Sequence, residues 1–190
     1  MRLQAFLFSI LAFSGAFLFA GYENVKWDAS YYTVRIFYPK ITKVKNPCYF
    51  DGVNLFGSDT LKAWEEKAKD PLFKKRVFLF QKKKLVAVEV HYEPVDLPLF
   101  EKKIVEPLKQ IYGAKQMQTT TQNDRTKDNV YFIWKTKSDV VVAMWGHFKQ
   151  VSPDNLDWIR VVYYKKDFYD LKNATRSSSL AGDGEWCIYF

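Results

Sequence analysis

The sequence predicts an α+β fold: one antiparallel sheet of about six to eight strands with two helices on a single face. Three observations carry this. Short runs rich in valine, isoleucine and aromatic residues recur at hairpin spacing, two other stretches repeat apolar residues at helical spacing, and a helix followed by a hairpin occurs twice. Laid over each other, Arg76-Val77-Phe78-Leu79-Phe80-turn-Leu85-Val86-Ala87-Val88 and Asn129-Val130-Tyr131-Phe132-Ile133-turn-Val140-Val141-Val142-Ala143 suggest a duplicated helix-hairpin unit.

A chain of 190 residues fits one domain. With 48% apolar and 26% charged residues it lies outside the regime of low hydrophobicity and high charge in which a chain cannot bury enough surface to fold. Aromatic residues make up 18%, so a modest chain can still build a thick core. The net charge of +8 makes the folded surface attractive to anions.

Residues 1–20 read as a targeting segment. Met1-Arg2-Leu3-Gln4 gives a positive start and Ala5 to Phe13 an apolar stretch of secretory length. Cleavage after Ala20 is favoured over cleavage after Ala16, which would leave Phe17, Leu18 and Phe19 at the new terminus. The alternative is an uncleaved N-terminal anchor, since Leu3 to Tyr22 approaches the roughly 20 residues that span a bilayer. Either way the product is exported, periplasmic or extracellular, and residues 21–190 form a single α+β domain.

Within that domain, Tyr31 to Tyr38 reads as a β-branched and aromatic strand stopped by Pro39, and Ile41 to Val44 as a second extended piece. A helix is expected from Ser58 to Asp70, with Ser58 as N-cap and Leu61, Trp64 and Ala68 on one face. Val77 to Phe80 and Leu85 to Tyr92 form a hairpin around Gln81-Lys82-Lys83-Lys84. A second helix runs from about Pro98 to Tyr112, with Phe100, Ile104, Leu108 and Ile111 in one stripe, Gly113 just past its end, and Pro107 expected to kink it or split it into two pieces. Gln116 to Asp128 reads as a long polar connection. Val130 to Trp134 and Val140 to Trp145 make a second hairpin, Trp158 to Tyr164 another strand, 173–184 a loop, and Trp186 to Phe190 a closing strand.

Cys48 and Cys187 are the two cysteines, and in an oxidising compartment an even count points to a disulfide between them. Separate free thiols, or a reactive Cys48 served by His91 or His147, are the competing readings. The basic groups Lys74-Lys75-Arg76 and Lys82-Lys83-Lys84 flank one strand and would form a cationic rim for a polyanion; the alternative is that these lysines keep a turn and an edge strand soluble. Trp134 and Trp145, at strand ends, are the candidate aromatic contacts. Glu89, His91 and Glu93 alternate along one strand, and His147 ends the corresponding strand of the second unit. Without a close-spaced Cys/His pattern these read as structural or surface groups, and no metal is expected. Ser177-Ser178-Ser179 lacks a nucleophile elbow, no Gly-rich phosphate loop is present, and no cofactor is implied.

These features favour an exported, non-enzymatic binding domain that presents a basic hairpin to an anionic envelope polymer, lipid head groups or an acidic protein. Intracellular nucleic acid is not an expected partner, and membrane contact is expected only through an uncleaved N-terminal segment. An inhibitor of a secreted or periplasmic enzyme is the first alternative. A cell-wall glycan hydrolase is the second, and it would need Glu89, Glu93 or Asp157 to face Trp145 across a pocket.

Overall fold

Runs such as Val77-Phe78-Leu79-Phe80 and Val140-Val141-Val142-Ala143 have no polar face, so the strands they form need cover on both sides. The computed structural model describes residues 20–44, 61–67, 73–123, 125–149 and 157–171. The leader 1–19, Cys48 and Cys187 with their expected disulfide, the loop 173–184 and the strand 186–190 lie outside the described residues.

The elements in chain order are β1 (Gly21–Tyr22), β2 (Val25–Lys26), α1 (Tyr31–Phe37), β3 (Thr42–Lys43), β4 (Leu61–Lys67), β5 (Phe73–Gln81), β6 (Lys84–Tyr92), the helical segment α2 (97–112), β7 (Met117–Asn123), β8 (Lys127–Lys135), β9 (Asp139–Phe148) and β10 (Trp158–Lys165). Residues 166–171 form a further helix, α3. The architecture is α+β with an eight-stranded antiparallel sheet in the order β3-β4-β5-β6-β10-β9-β8-β7, and β1 and β2 pair separately. Two meanders, β4-β5-β6 and β7-β8-β9-β10, therefore meet where β6 pairs with β10, with Val90 opposite Val161 and Glu89 opposite Val162.

That register divides the core. On the face of Val90 and Val161, Phe78, Phe80 and Val88 are covered by Tyr22, Val25, Trp27, Val34 and Tyr38 of the N-terminal segment. Farther along the same face, Phe132, Trp134, Val141 and Val161 are covered by Phe100, Val105 and Leu108 of α2. On the other face Leu79, Ala87, Val142, Met144 and Val162 cluster with Phe168 of α3. Each such side chain, fully buried, contributes about 1.5–3 kcal/mol relative to exposure. The N-terminal segment is pinned across the sheet by Asp139, which accepts hydrogen bonds from Trp27 Nε1 at 2.5 Å and from the Gly21 amide at 3.3 Å.

Three segments differ from the sequence expectation. Tyr31–Phe37 is a helix, not a strand. Ser30, in extended conformation, caps it by accepting the Thr33 N–H at 3.2 Å, and Val34 points into the core. The cap and the burial of Val34 outweigh the β-propensity of the aromatic and branched side chains. Leu61–Lys67 is a strand, not part of a helix: it pairs with β5 from Leu61 opposite Gln81 to Lys67 opposite Lys75. Leu61 and Ala63 enter one core cluster while Trp64 packs against the other, so the spacing that suggested a helical face is a two-residue alternation serving both faces. Met117–Asn123, expected as a loop, is the edge strand β7, paired with β8 along its length. Its residues beyond Met117 are exposed on both faces, which leaves no hydrophobic period to read. With β4 where the first helix was expected, the described residues do not show the duplicated helix-hairpin plan.

In α2 the proline follows a π turn. Residues Glu101–Val105 form a π turn between α-helical turns, and the Glu106 amide donates to the Glu101 carbonyl. The extra residue just before Pro107 accommodates the missing backbone donor and shifts the buried stripe by one position. Val105, not Ile104, is fully buried, and Ile111 is left exposed.

Gly146 on β9 stands opposite Trp158, and a Cβ there would lie 2.3 Å from the indole Cε2. Gly146→Ala must push the ring aside, and chemical denaturation should show a loss of about 1–3 kcal/mol. An unchanged denaturation midpoint would show that the ring is not seated on the glycine.

Candidate functional site

The β5–β6 connection closes in two residues, because Gln81 pairs directly with Lys84. Such a turn requires positive φ at both central positions, which asparagine and glycine supply at least cost. Here the positions are Lys82 and Lys83, with φ of 48° and 68°. Placing an L side chain in this region costs about 1–2 kcal/mol per residue, so the turn carries cations where the backbone favours glycine. Lys82, Lys83 and Lys84 are exposed, and among the described residues none of them forms an ion pair.

The N-terminus of α1 lies against this turn. Ser30 bridges Lys84, the Asp28 amide donates to the Leu85 carbonyl at 3.0 Å, and the Leu85 amide donates to Ala29 at 2.9 Å. Within α1, the Tyr31 ring packs 4.8 Å from Trp64, which leaves Tyr32 and Ile36 outside at 78% and 77% exposure with Phe37 beside them. Sequence reasoning missed this apolar set. A strand reading of 31–38 keeps Tyr32 and Ile36 on one face but sends Phe37 to the other, so the three do not read as one patch.

Lys74, Lys75 and Arg76 do not join the turn. They lie toward the other end of β5, and the six residues from Arg76 to Lys82 span roughly 20 Å, so the expected single rim does not form. Lys74 faces Glu93 at 3.8 Å and Lys75 faces Glu65 at 3.7 Å. Arg76 is withdrawn from the surface. Its guanidinium bonds Glu23 at 3.2 Å and Glu66 at 3.3 Å and lies 4.8–5.2 Å from the ring centres of Tyr22, Tyr38 and Phe73. Burial opposes its charge, but Tyr22, Glu23, Tyr38 and Glu66 together hold its pKa above the ordinary value. Burial and the hydrogen bond that Tyr38 donates to Glu23 push the Tyr38 phenol far up.

Of the candidate aromatic contacts, Trp134 is fully buried under α2, so it presents no surface. Trp145 is half-buried, donates Nε1 to the Val95 carbonyl at 2.9 Å and stacks on His147, whose Nδ1 lies 2.9 Å from Asp157. Glu89 sits on the opposite face of the sheet, with its carboxylate 3.3 Å from His91 Nε2, and Glu93 is engaged by Lys74. The carboxylate pair that a glycan hydrolase needs is therefore not assembled around Trp145 by these residues. Among the described residues no group of His, Cys, Asp and Glu is arranged to hold a metal, and no helix is long and apolar enough to cross a membrane.

His91 carries a sign-definite pH effect. Burial lowers its pKa below the ordinary 6.5, outweighing the raising influence of Glu89 and reinforced by Arg160 and Lys75. The unfolded chain then binds more protons than the folded one, so the contribution is present above 6.5 and fades as pH falls below it. Unfolding free energy should drop on acidification through this range, and His91→Gln should flatten that slope. The same slope in both proteins would assign the effect to other groups.

Compared with protein-family models, curated proteins and solved structures, the chain matches none.

Proposed function

We propose that this is an exported, non-enzymatic binding domain that docks on anionic lipid head groups through the turn Lys82–Lys84, with Tyr32, Ile36 and Phe37 of α1 entering the interface beside it. The observation that carries the reading is the strained turn. Two lysines occupy positive-φ positions and find no ion-pair partner among the described residues, an arrangement that costs stability and leaves its charge for something outside the fold. The exposed apolar side chains decide between kinds of anion. A soluble polyanion offers no apolar phase for Ile36 or Tyr32, whereas a bilayer interface takes both the rings and the charges. Export rests on the leader 1–20 read from the sequence.

Each lysine near an anionic leaflet contributes about 1 kcal/mol, so Lys82→Gln, Lys83→Gln and Lys84→Gln together should weaken partition onto phosphatidylserine-containing vesicles by about 100-fold while leaving Tm nearly unchanged. Added salt should weaken the parent protein in the same direction, because these charges are exposed. Co-sedimentation with vesicles of graded anionic content measures both effects. Lys82→Asn with Lys83→Gly separates strain from binding. It should raise Tm by about 2–4 °C for each kcal/mol of strain released and still weaken partition. Ile36→Ser should weaken partition at constant charge. Equal partition of the parent and all three variants removes the reading.

A further inference from the structure

On the shared face of the sheet, the N-terminal segment and α2 cover adjacent clusters. Between them lies a cleft of about 270 Å³ over β6 and β10. Gly21, Tyr22 and Glu23 form one wall, Ile111 and Tyr112 at the end of α2 the other, with Val90, Tyr92 and Tyr163 as floor. At about 30 Å³ per water in the liquid, the space equals roughly nine waters, or a guest of similar heavy-atom count.

The polar groups of the cleft are mostly phenols. Tyr22 meets Tyr163 edge-on, with ring centres 4.8 Å apart. The Tyr163 phenol feels both Tyr92 and Tyr112 electrostatically, so the three side chains converge from two strands and a helix end. Among the described residues, the hydroxyls of Tyr92, Tyr112 and Tyr163 have no hydrogen-bond partner, in contrast to Tyr38, which donates to Glu23. Burial pushes up the phenols of all three, that of Tyr92 to about 12, so they stay protonated and can donate at any physiological pH. Phe73, Val90 and Ile111 add an apolar lining.

The charges at the rim select against ions of either sign. Arg76 is matched by Glu23 and Glu66, so an entering carboxylate meets Glu23 without an unpaired cation to receive it. A quaternary ammonium meets the Arg76 guanidinium, which already lies by the Tyr22 and Phe73 rings. We propose that this cleft binds a small uncharged ring compound that bears a carbonyl or hydroxyl oxygen, the oxygen received by the phenols of Tyr92, Tyr112 and Tyr163 and the ring by the apolar lining.

The test uses the full chain and 4-hydroxybenzamide as probe, followed by saturation-transfer NMR and titration. Benzoate, phenyltrimethylammonium and glucose serve as anionic, cationic and polyhydroxylated comparators. The amide should bind at least tenfold more tightly than any of the three. Tyr163→Phe and Tyr112→Phe keep the rings and remove one hydroxyl each, so each should weaken the amide about tenfold while leaving Tm unchanged. Ile111→Trp should fill the mouth and abolish binding. Replacing Lys82 to Lys84 with Gln should leave this affinity untouched, which separates the cleft from the docking surface. Absence of amide binding to the folded parent, equal affinity for a charged comparator, preference for glucose, or full affinity in the Tyr→Phe variants would each overturn the proposal.

Discussion

The structure depends on the antiparallel contact between β6 and β10. Each meander could close on itself as a small sheet with exposed edges, but pairing Val90 with Val161 and Glu89 with Val162 turns two half-sheets into one surface. Strands buried at the centre of such a sheet must be apolar toward both faces. Val88 and Val90 serve one core and Ala87 the other, and across the junction Val161 and Val162 divide in the same way. Once the centre is apolar on both sides, cover is obligatory. The N-terminal segment and α2 supply it on one face and α3 contributes to it on the other.

The same constraint explains what the sequence disclosed. Hairpins at β5–β6 and β8–β9 were legible because dense β-branched runs are interrupted by short polar turns. The second helix was legible because a four-residue stripe and a terminal glycine agree, although the π turn that moves burial from Ile104 to Val105 depends on a backbone geometry no side-chain pattern announces. Leu61–Lys67 misled because Leu61 and Ala63 alternate toward one core while Trp64 faces the other, so apolar residues occur on both faces and the spacing of Leu61 and Trp64 fits a helical wheel by coincidence. The Thr-rich β7 misled for the opposite reason, having no buried side to mark it. Of the candidate sites, the lysine turn was visible as composition, but its strain was not: positive φ at Lys82 and Lys83 follows from the register of Gln81 with Lys84. The cleft was invisible, because Tyr22, Tyr92, Tyr112 and Tyr163 come from four separate elements.

Arg76 shows how a charged residue in a basic run can belong to the interior. Its neighbours Lys74 and Lys75 remain at the surface against Glu93 and Glu65, whereas the alternation of β5 turns Arg76 under the N-terminal segment. There a guanidinium suits the site better than an ammonium would. Its planar fork reaches two carboxylates and its weaker hydration tolerates aromatic neighbours. Formal charge along a sequence therefore overstates the cationic surface at this end of the strand, while at the other end the three turn lysines express it in full.

The N-terminal segment links these features physically. Asp139 fastens its start through Gly21 and Trp27, and backbone bonds of Asp28 and Ala29 with Leu85 fasten its middle. Between those anchors the chain contributes Tyr22 and Glu23 to the cleft wall, and beyond the second it delivers Ser30 and α1 to the lysine turn. Its own strands are two residues long and could not persist in isolation. Its conformation is imposed by the sheet beneath it, and the cleft and the surface patch are consequences of the same few anchoring bonds. Cover demanded by an apolar sheet and surfaces available for recognition are, in this fold, supplied by one stretch of chain.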